Sequence, residues 1–307
     1  MLSKKINNFF LILVFILSPI NILSKEIKII SKINNEIITN IDLENQIKYL
    51  LITNSNLKDL GRKELIELSK KSLIREVIKK KEINKFISVN EKSNLEKKII
   101  KQNYKSLGFN NISDYKSFLQ GKGISLELVK SKLVIEQLWN TLIYEKFKEK
   151  VKINENEIKK KIIIYKSKQK KLYEFNVSEI LFDFDASLNE INSFIEEYGF
   201  ESAALKFSIS DTSSKGGEIG WVRLSNMSQE FQKKIYSLKI GEHTEPIKIP
   251  NGNLIIKLNS KREINDQFDL DKEIKKQIIF EQNRQLNSFS LNYYNKLKQN
   301  AIINEYK

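Results

Sequence analysis

Residues 214–221, with the sequence SKGGEIGW, hold three of the ten glycines of the chain within five positions. Glycine adopts positive φ without strain, and it lets another backbone or a ligand approach where a Cβ would not fit. The segment alone leaves two interpretations open. It is either a tight turn that enters a strand or a loop shaped around a binding cleft.

Length and composition restrict what surrounds this segment. The chain has 307 residues, of which 40% are hydrophobic and 30% charged, so it is globular and long enough for two domains, or for one domain with a large insert. Its net charge of +15 comes from 48 Lys and only 5 Arg, whereas Arg is the residue suited to bidentate contacts with phosphates and bases. We therefore expect solvated lysine faces and no nucleic-acid partner, although a weaker attraction of anionic partners stays open.

The N-terminus has the pattern of an export signal. A basic head, MLSKK, precedes the apolar run FFLILVFIL at 9–17, and the small residue Ser24 follows a polar turn. The run is shorter than the ~20 apolar residues that span a membrane. We predict a signal peptide over 1–24, cleaved near Ser24, and a mature protein without stable membrane insertion. The alternative is an uncleaved anchor that extends to Leu23.

Several kinds of chemistry are excluded by residue types that the chain lacks. It has no cysteine, which excludes disulfides, thiol nucleophiles and thiolate metal sites. His243 is the only histidine, so multi-histidine metal sites are excluded as well. We expect no metal or cofactor, and we expect His243 to be an exposed loop residue.

The hydrophobic periodicity predicts a mostly α-helical fold with an inserted α+β domain. Residues 25–153 show a short hairpin around Asn34, a capping box formed by Thr39 and Asp42, and then successive helices at 62–81, 90–107, 113–120 and 126–150. The lysine-rich segment 154–171 reads as a solvated helical connector. The inserted segment begins with a strand at 172–184, followed by helices at 188–198 and 201–207. Residues 235–241 then close another short helix, and strands follow at 245–249 and 253–260. A last helix, at 268–298, carries Leu286 and Leu291 on an apolar stripe that needs a partner, and the N-terminal helices are the available one.

Two stretches resemble known families. IISKINNEIITNIDLENQI, at 29–47, is similar to the start of SurA-type periplasmic chaperones. SISDTSSKGGEIGWV (208–222), NMSQEFQKKIYSLKIGEHTEPIKI (226–249) and NGNLIIKL (251–258) are together similar to a parvulin-type peptidyl-prolyl isomerase domain. The resemblance implies a SurA-like N-terminal chaperone domain at 25–153, one parvulin-like domain at 172–262, and a C-terminal helix within 263–307 that packs on the N-terminal domain.

The parvulin resemblance also implies a site. Its proline pocket would be lined by Ile219, Met227 and Phe231, with Trp221 and Leu254 as further substrate-binding residues. Met227 is the only methionine after the predicted signal peptide, and a flexible thioether suits a pocket for varied apolar shapes, although an ordinary core methionine is the alternative. The candidate catalytic positions depart from the family: Glu179 and Leu254 stand where two histidines are usual. The position of the usual Cys or Asp falls at Asp211 or Thr212.

Two classes of function follow. An X-Pro bond isomerises over a barrier of about 20 kcal/mol, and an enzyme lowers it by holding the proline ring and favouring the twisted amide with preorganised polar groups. Here the apolar half of the site is kept and most of the polar half is changed, which favours binding over catalysis. We therefore expect a periplasmic chaperone for unfolded exported polypeptides, outer-membrane proteins among them, whose parvulin-like domain binds X-Pro segments. The alternative is an active prolyl isomerase in the same compartment.

Overall fold

The computed structural model describes residues 26–86, 89–168, 172–264 and 269–306. The predicted signal peptide and its cleavage point at Ser24 lie outside the described residues. The helices are α1 Asn40–Thr53, α2 Arg62–Ile83, α3 Val89–Ser106, α4 Ile112–Gly121, α5 Leu126–Phe147, α6 Glu155–Lys168, α7 Leu188–Phe207, α8 Gln229–Tyr236 and α9 Leu270–Gln299. The strands are β1 Ile29–Ile33, β2 Glu36–Thr39, β3 Leu172–Phe182, β4 Glu218–Val222, β5 Ile247–Ile249, β6 Gly252–Ile264 and β7 Ile303–Glu305. The predicted fold class, mostly helical with an inserted α+β unit, is confirmed.

The N-terminal hairpin forms as predicted. Asn34 takes a positive φ of 53° in the turn between β1 and β2. The backbone N–H of Thr39 donates to the Asp42 carboxylate at 2.8 Å, and the Asp42 N–H donates to the Thr39 hydroxyl at 3.2 Å, which completes the capping box of α1. No pattern in the sequence indicated β7, which pairs with β1 and ties the C-terminal residues to the hairpin.

The helical part has its own core. Trp139, on α5, is fully buried and lies among apolar residues of α2, α3 and α9. Its indole N–H donates to the Ser290 hydroxyl at 2.9 Å, and its ring stacks on Tyr293 at 5.9 Å between centroids. Helix α9 therefore packs against the N-terminal helices, with Leu286 in the same cluster.

The inserted unit is an antiparallel sheet with the strand order β4-β3-β6-β5. Since side chains alternate along a strand, β3 contributes to two cores. Ile180 and Phe182 pack under α7, whereas Val177 and Leu181 face the side where α8, α6 and α9 lie. This second side carries the candidate site.

The short helix predicted to close within 235–241 is α8, which spans Gln229–Tyr236. Ser228 starts it by accepting the backbone N–H of Phe231 at 3.2 Å. Gly241, taken as a helix stop, instead has φ 95° and donates its N–H to the Leu258 carbonyl of β6 at 2.7 Å. The glycine therefore marks a turn bound to the sheet.

Helix α6 is more than a solvated connector. Ile158, Ile162 and Tyr165 are buried, and the Tyr165 and Tyr236 hydroxyls are 2.6 Å apart. Lys159, Lys160 and Lys166 of α6 are exposed, which is why the composition suggested a solvated helix. The domain boundaries stay a prediction. None of the helices in the described ranges is long and apolar enough to cross a membrane.

Candidate functional site

The glycine-rich segment is fitted closely to β3. Gly216 and Gly217 have φ values of 66° and 81°, and a Cβ on Gly217 would lie 2.1 Å from the Glu179 carbonyl oxygen. The Glu179 N–H also donates to the Gly217 carbonyl at 2.8 Å. The segment is therefore a tight turn into β4. It is also part of a cleft, because it brings Ile219 to the wall of a cavity.

This cavity, which we call the parvulin-like cavity, has a volume of about 720 Å³ and lies between the sheet and helices α6, α8 and α9. Its size is in the range of pockets that hold small ligands or part of a peptide. It brings together six of the seven predicted site residues: Glu179, Asp211, Ile219, Met227, Phe231 and Leu254.

Trp221, the seventh, does not line this cavity. Val222, next to it on β4, points into the cavity, so Trp221 points to the other face of the sheet. It is 41% exposed there, with the Arg262 guanidinium 4.1 Å from its ring centroid. Its position is that of a surface residue with a cation–π partner.

Glu179 is held by a chain of hydroxyl groups. The Thr212 hydroxyl donates to the Glu179 carboxylate at 2.9 Å, the Ser210 and Thr212 hydroxyls are 2.6 Å apart, and those of Ser208 and Ser210 are 2.9 Å apart. Burial raises the pKa of Glu179, hydrogen bonds from Thr212 and Ser210 partly offset this, and the charge of Asp211 raises it further. The carboxyl therefore keeps its proton to a higher pH than an exposed glutamate does.

Asp211 and Thr212, the two candidates for the position of the usual Cys or Asp, make different contacts. Thr212 is the residue whose side chain contacts Glu179. The Asp211 carboxylate lies 3.7 Å from the ammonium group of Lys79, a residue of α2 that is only 2% exposed and also donates to Glu136 at 2.7 Å. Asp211 is thus tied to the helical part of the chain.

Leu254 occupies the position of the second usual histidine, and His243, the only histidine of the chain, does not replace it. Leu254 is 8% exposed on β6 and pairs with Leu181 of β3, so an apolar side chain fills that position. His243 is exposed, as predicted, and its Nδ1 is 3.2 Å from the Thr244 carbonyl oxygen, away from the cavity lining. The described residues contain no group of three or more side chains that could hold a metal ion.

Sequence reasoning missed the residues that α6 and α9 contribute to the cavity. Phe280, Arg284, Asn287 and Leu291 of α9 line it, as does Ile158 of α6. The four α9 positions follow the i, i+4, i+7, i+11 spacing of one helix face. That spacing was visible in the sequence, but nothing in the sequence indicated which partner this face meets.

The comparisons with known proteins agree with this architecture. Residues 183–260 match the family model of the PPIC-type PPIase domain, also called rotamase. Chaperone SurA of Pseudomonas putida is 25% identical over 164 residues, which are 49% of this chain and 38% of that protein. Foldase protein PrsA of Geobacillus kaustophilus is 28% identical over 237 residues, 74% of each chain. The chain thus spans well under half the length of the P. putida relative.

A solved structure described as one of two SurA-like chaperones of Campylobacter jejuni aligns over 91% of this chain and 99% of its own, with 16% identity and a TM-score of 0.37. Together, the family model and the curated relatives confirm that the chain resembles a SurA-type chaperone with a single parvulin-type domain.

Proposed function

We propose that this protein is an exported folding chaperone that binds unfolded polypeptides, outer-membrane proteins among them, in the periplasm. Its parvulin-like cavity binds X-Pro segments of these clients and has at most weak isomerase activity. The observation that carries this proposal is one cavity in which Ile219, Met227 and Phe231 form an apolar pocket while Leu254 leaves one histidine position without a polar group. The relatives named as chaperones and foldases support the folding role.

The second candidate, an active prolyl isomerase, is favoured by one specific observation. The pKa of Glu179 is raised, chiefly by burial, and Thr212 orients its carboxyl group. A protonated carboxyl can donate a hydrogen bond to an amide whose conjugation is lost, and such a preorganised donor stabilises a transition state. An assay of a short X-Pro peptide, run beside an aggregation assay with a proline-free client, separates the two functions.

Binding by the cavity is tested by Phe231→Ala. We expect the affinity for a fluorescein-labelled Ala-Phe-Pro-Phe-Ala peptide to fall by about five- to 150-fold, since packing an aromatic ring against a ligand contributes about 1 to 3 kcal/mol. Fluorescence anisotropy measures the Kd. The matched control is Ile240→Ala, an exposed apolar residue of the same unit, 64% exposed, which should leave the Kd unchanged. Equal affinity of the Phe231→Ala variant and the unmodified protein would contradict the proposed site.

A further inference from the structure

Two different faces of helix α9 make contacts with the rest of the molecule. Leu286, Tyr293 and Leu297 pack with Trp139 in the helical core, whereas Phe280, Arg284, Asn287 and Leu291 line the parvulin-like cavity. Phe280 and Leu291 belong to the same apolar cluster as Phe231 and Leu254. One helix therefore joins the core of the helical part to the candidate peptide site.

Several contacts hold α9 against the site. The side-chain amide of Asn251, in the β5–β6 turn, donates to the Ser288 hydroxyl at 2.7 Å. Gln285 accepts the backbone N–H of Lys152 at 2.9 Å and donates to the Lys152 carbonyl at 2.8 Å, which fixes the chain just before α6. The wall made by α9 is therefore attached to the neighbouring elements on two sides.

The cavity stays open with this wall in place. Its volume of about 720 Å³ lies in the range of pockets that enclose a ligand. Phe280 and Leu291 therefore line an open space, and both can contact the side chain of a bound peptide.

The same wall carries a polar group suited to a peptide backbone. The side-chain carboxamide of Asn287 is exposed on the cavity side and makes no hydrogen bond with the residues that the structure describes. A carboxamide offers both donors and an acceptor, so it can bond to a peptide C=O and N–H together. Phe280, about two helical turns away along the same face, is half-buried and apolar.

We infer that the C-terminal helix α9 is itself part of the peptide-binding site. Phe280 forms an apolar wall opposite the sheet, and Asn287 binds the backbone of an extended segment whose proline or aromatic side chain enters the pocket. This inference rests on the proposed function, because it concerns the same cavity. It adds that the site is composite and that the parvulin-like domain supplies only part of it.

The test uses the full-length mature protein and the labelled Ala-Phe-Pro-Phe-Ala peptide. We expect Phe280→Ala to raise the Kd by about three- to tenfold, whereas Phe280→Leu, which keeps a large apolar side chain, should retain most of the affinity. Asn287→Ala should weaken binding about threefold. The control is Ile279→Ala, adjacent on the same helix but 57% exposed and outside the cavity lining, which should not change the Kd.

Unchanged or tighter binding by Phe280→Ala overturns the inference, since tighter binding would mean that α9 obstructs the pocket. If Phe280→Ala does not fold, the exposed Asn287→Ala variant decides, and unchanged binding by it overturns the inference. When Phe231→Ala weakens binding and Phe280→Ala does not, the composite site fails and the proposed function stands. When the unmodified protein does not bind the peptide at all, the proposed X-Pro binding itself fails.

Discussion

Glu179 illustrates how one residue changes the chemistry of a retained pocket. A histidine at this position would titrate near neutral pH, whereas a glutamate is normally ionised there. Burial raises the pKa of Glu179, and the nearby Asp211 charge adds to this, although Thr212 and Ser210 donate or relay hydrogen bonds to the carboxylate. The proton on this carboxyl therefore depends on the residues around it.

The raised pKa leads to a prediction about stability. Below the ordinary glutamate pKa, Glu179 is protonated in both the folded and the unfolded state, so its burial carries no cost of ionisation. As the pH rises through the raised value, the folded state must ionise a buried group, so the free energy of unfolding falls. Glu179→Gln keeps an acceptor for Thr212 without this cost. We expect the variant to be more stable than the unmodified protein at pH 7 to 8, with the difference vanishing near pH 4.

Urea unfolding at several pH values measures this difference. The control is Glu230→Gln, on α8, whose side chain is 80% exposed. A stability difference for Glu179→Gln that stays constant with pH would show that the carboxyl is not protonated preferentially in the folded state.

At the scale of elements, α9 and α6 complete the core under the sheet. Tyr165 of α6 and Leu291 of α9 are buried with Phe175 and Leu258, and Phe280 packs at the edge of this cluster. A fragment containing only 172–262 would lack all three of the helix residues. Its apolar face would then be exposed to water, at a cost of about 1.5 to 3 kcal/mol for each large side chain.

Leu291→Ala tests this contribution of α9. We expect the free energy of unfolding to fall by about 2 to 4 kcal/mol, because the change removes buried methyl groups and the wall of a cavity cannot fully close over the space. Ile279→Ala, on the exposed face of the same helix, should change it by less than about 0.5 kcal/mol. Chemical denaturation of the full chain gives both values, and equal effects of the two variants would refute the docking of α9 on this core.

At the scale of the whole molecule, basic residues of α2 link the helical part to the inserted unit. Lys79 lies 3.7 Å from Asp211, Arg75 donates to the Ser213 hydroxyl at 2.7 Å, and Lys71 donates to the Lys206 carbonyl at the end of α7 at 2.7 Å. Much of the positive charge of the chain is solvated, but these three side chains make contacts over sequence separations of more than 130 residues.

Lys71 makes this link dependent on pH. Burial, together with the nearby charges of Arg75 and Lys298, lowers the pKa of Lys71 to about 8. Above pH 10.5 the side chain is neutral in both states. As the pH falls toward 8, the folded state resists protonation and loses stability relative to the unfolded state.

The matching prediction concerns Lys71→Met. Because one pKa unit corresponds to about 1.4 kcal/mol, we expect the stability of the unmodified protein relative to this variant to rise by on the order of 3 kcal/mol between pH 8 and pH 10.5. Thermal and urea unfolding at both pH values measure the change. Lys63→Met, an exposed position on the same helix, serves as control, and a parallel pH dependence in the two variants would exclude the buried lysine as the cause.

Local sequence determined much of this protein. The Asn34 turn, the Thr39–Asp42 capping box and the positive φ of Gly216 and Gly217 follow from short-range sterics and hydrogen bonding, which the residue types dictate. The spacing of apolar residues also predicted most helices, because an amphipathic face must be buried. The residues of the pocket were predicted from the parvulin resemblance. Gly241 was wrong as a helix stop, since its N–H donates to the Leu258 carbonyl of the sheet and α8 ends earlier, at Tyr236.

Only the tertiary structure decided which surfaces meet. An apolar stripe specifies that a face is buried and leaves its partner open, so the approach of α9 to both the helical core and the parvulin-like cavity could not be predicted. The pairing of β7 with β1 joins residues at opposite ends of the chain, and the outward position of Trp221 depends on which face of the sheet α6 and α9 cover. The proton on Glu179 is likewise a tertiary property, because its pKa is set by burial and by neighbours about 30 residues away.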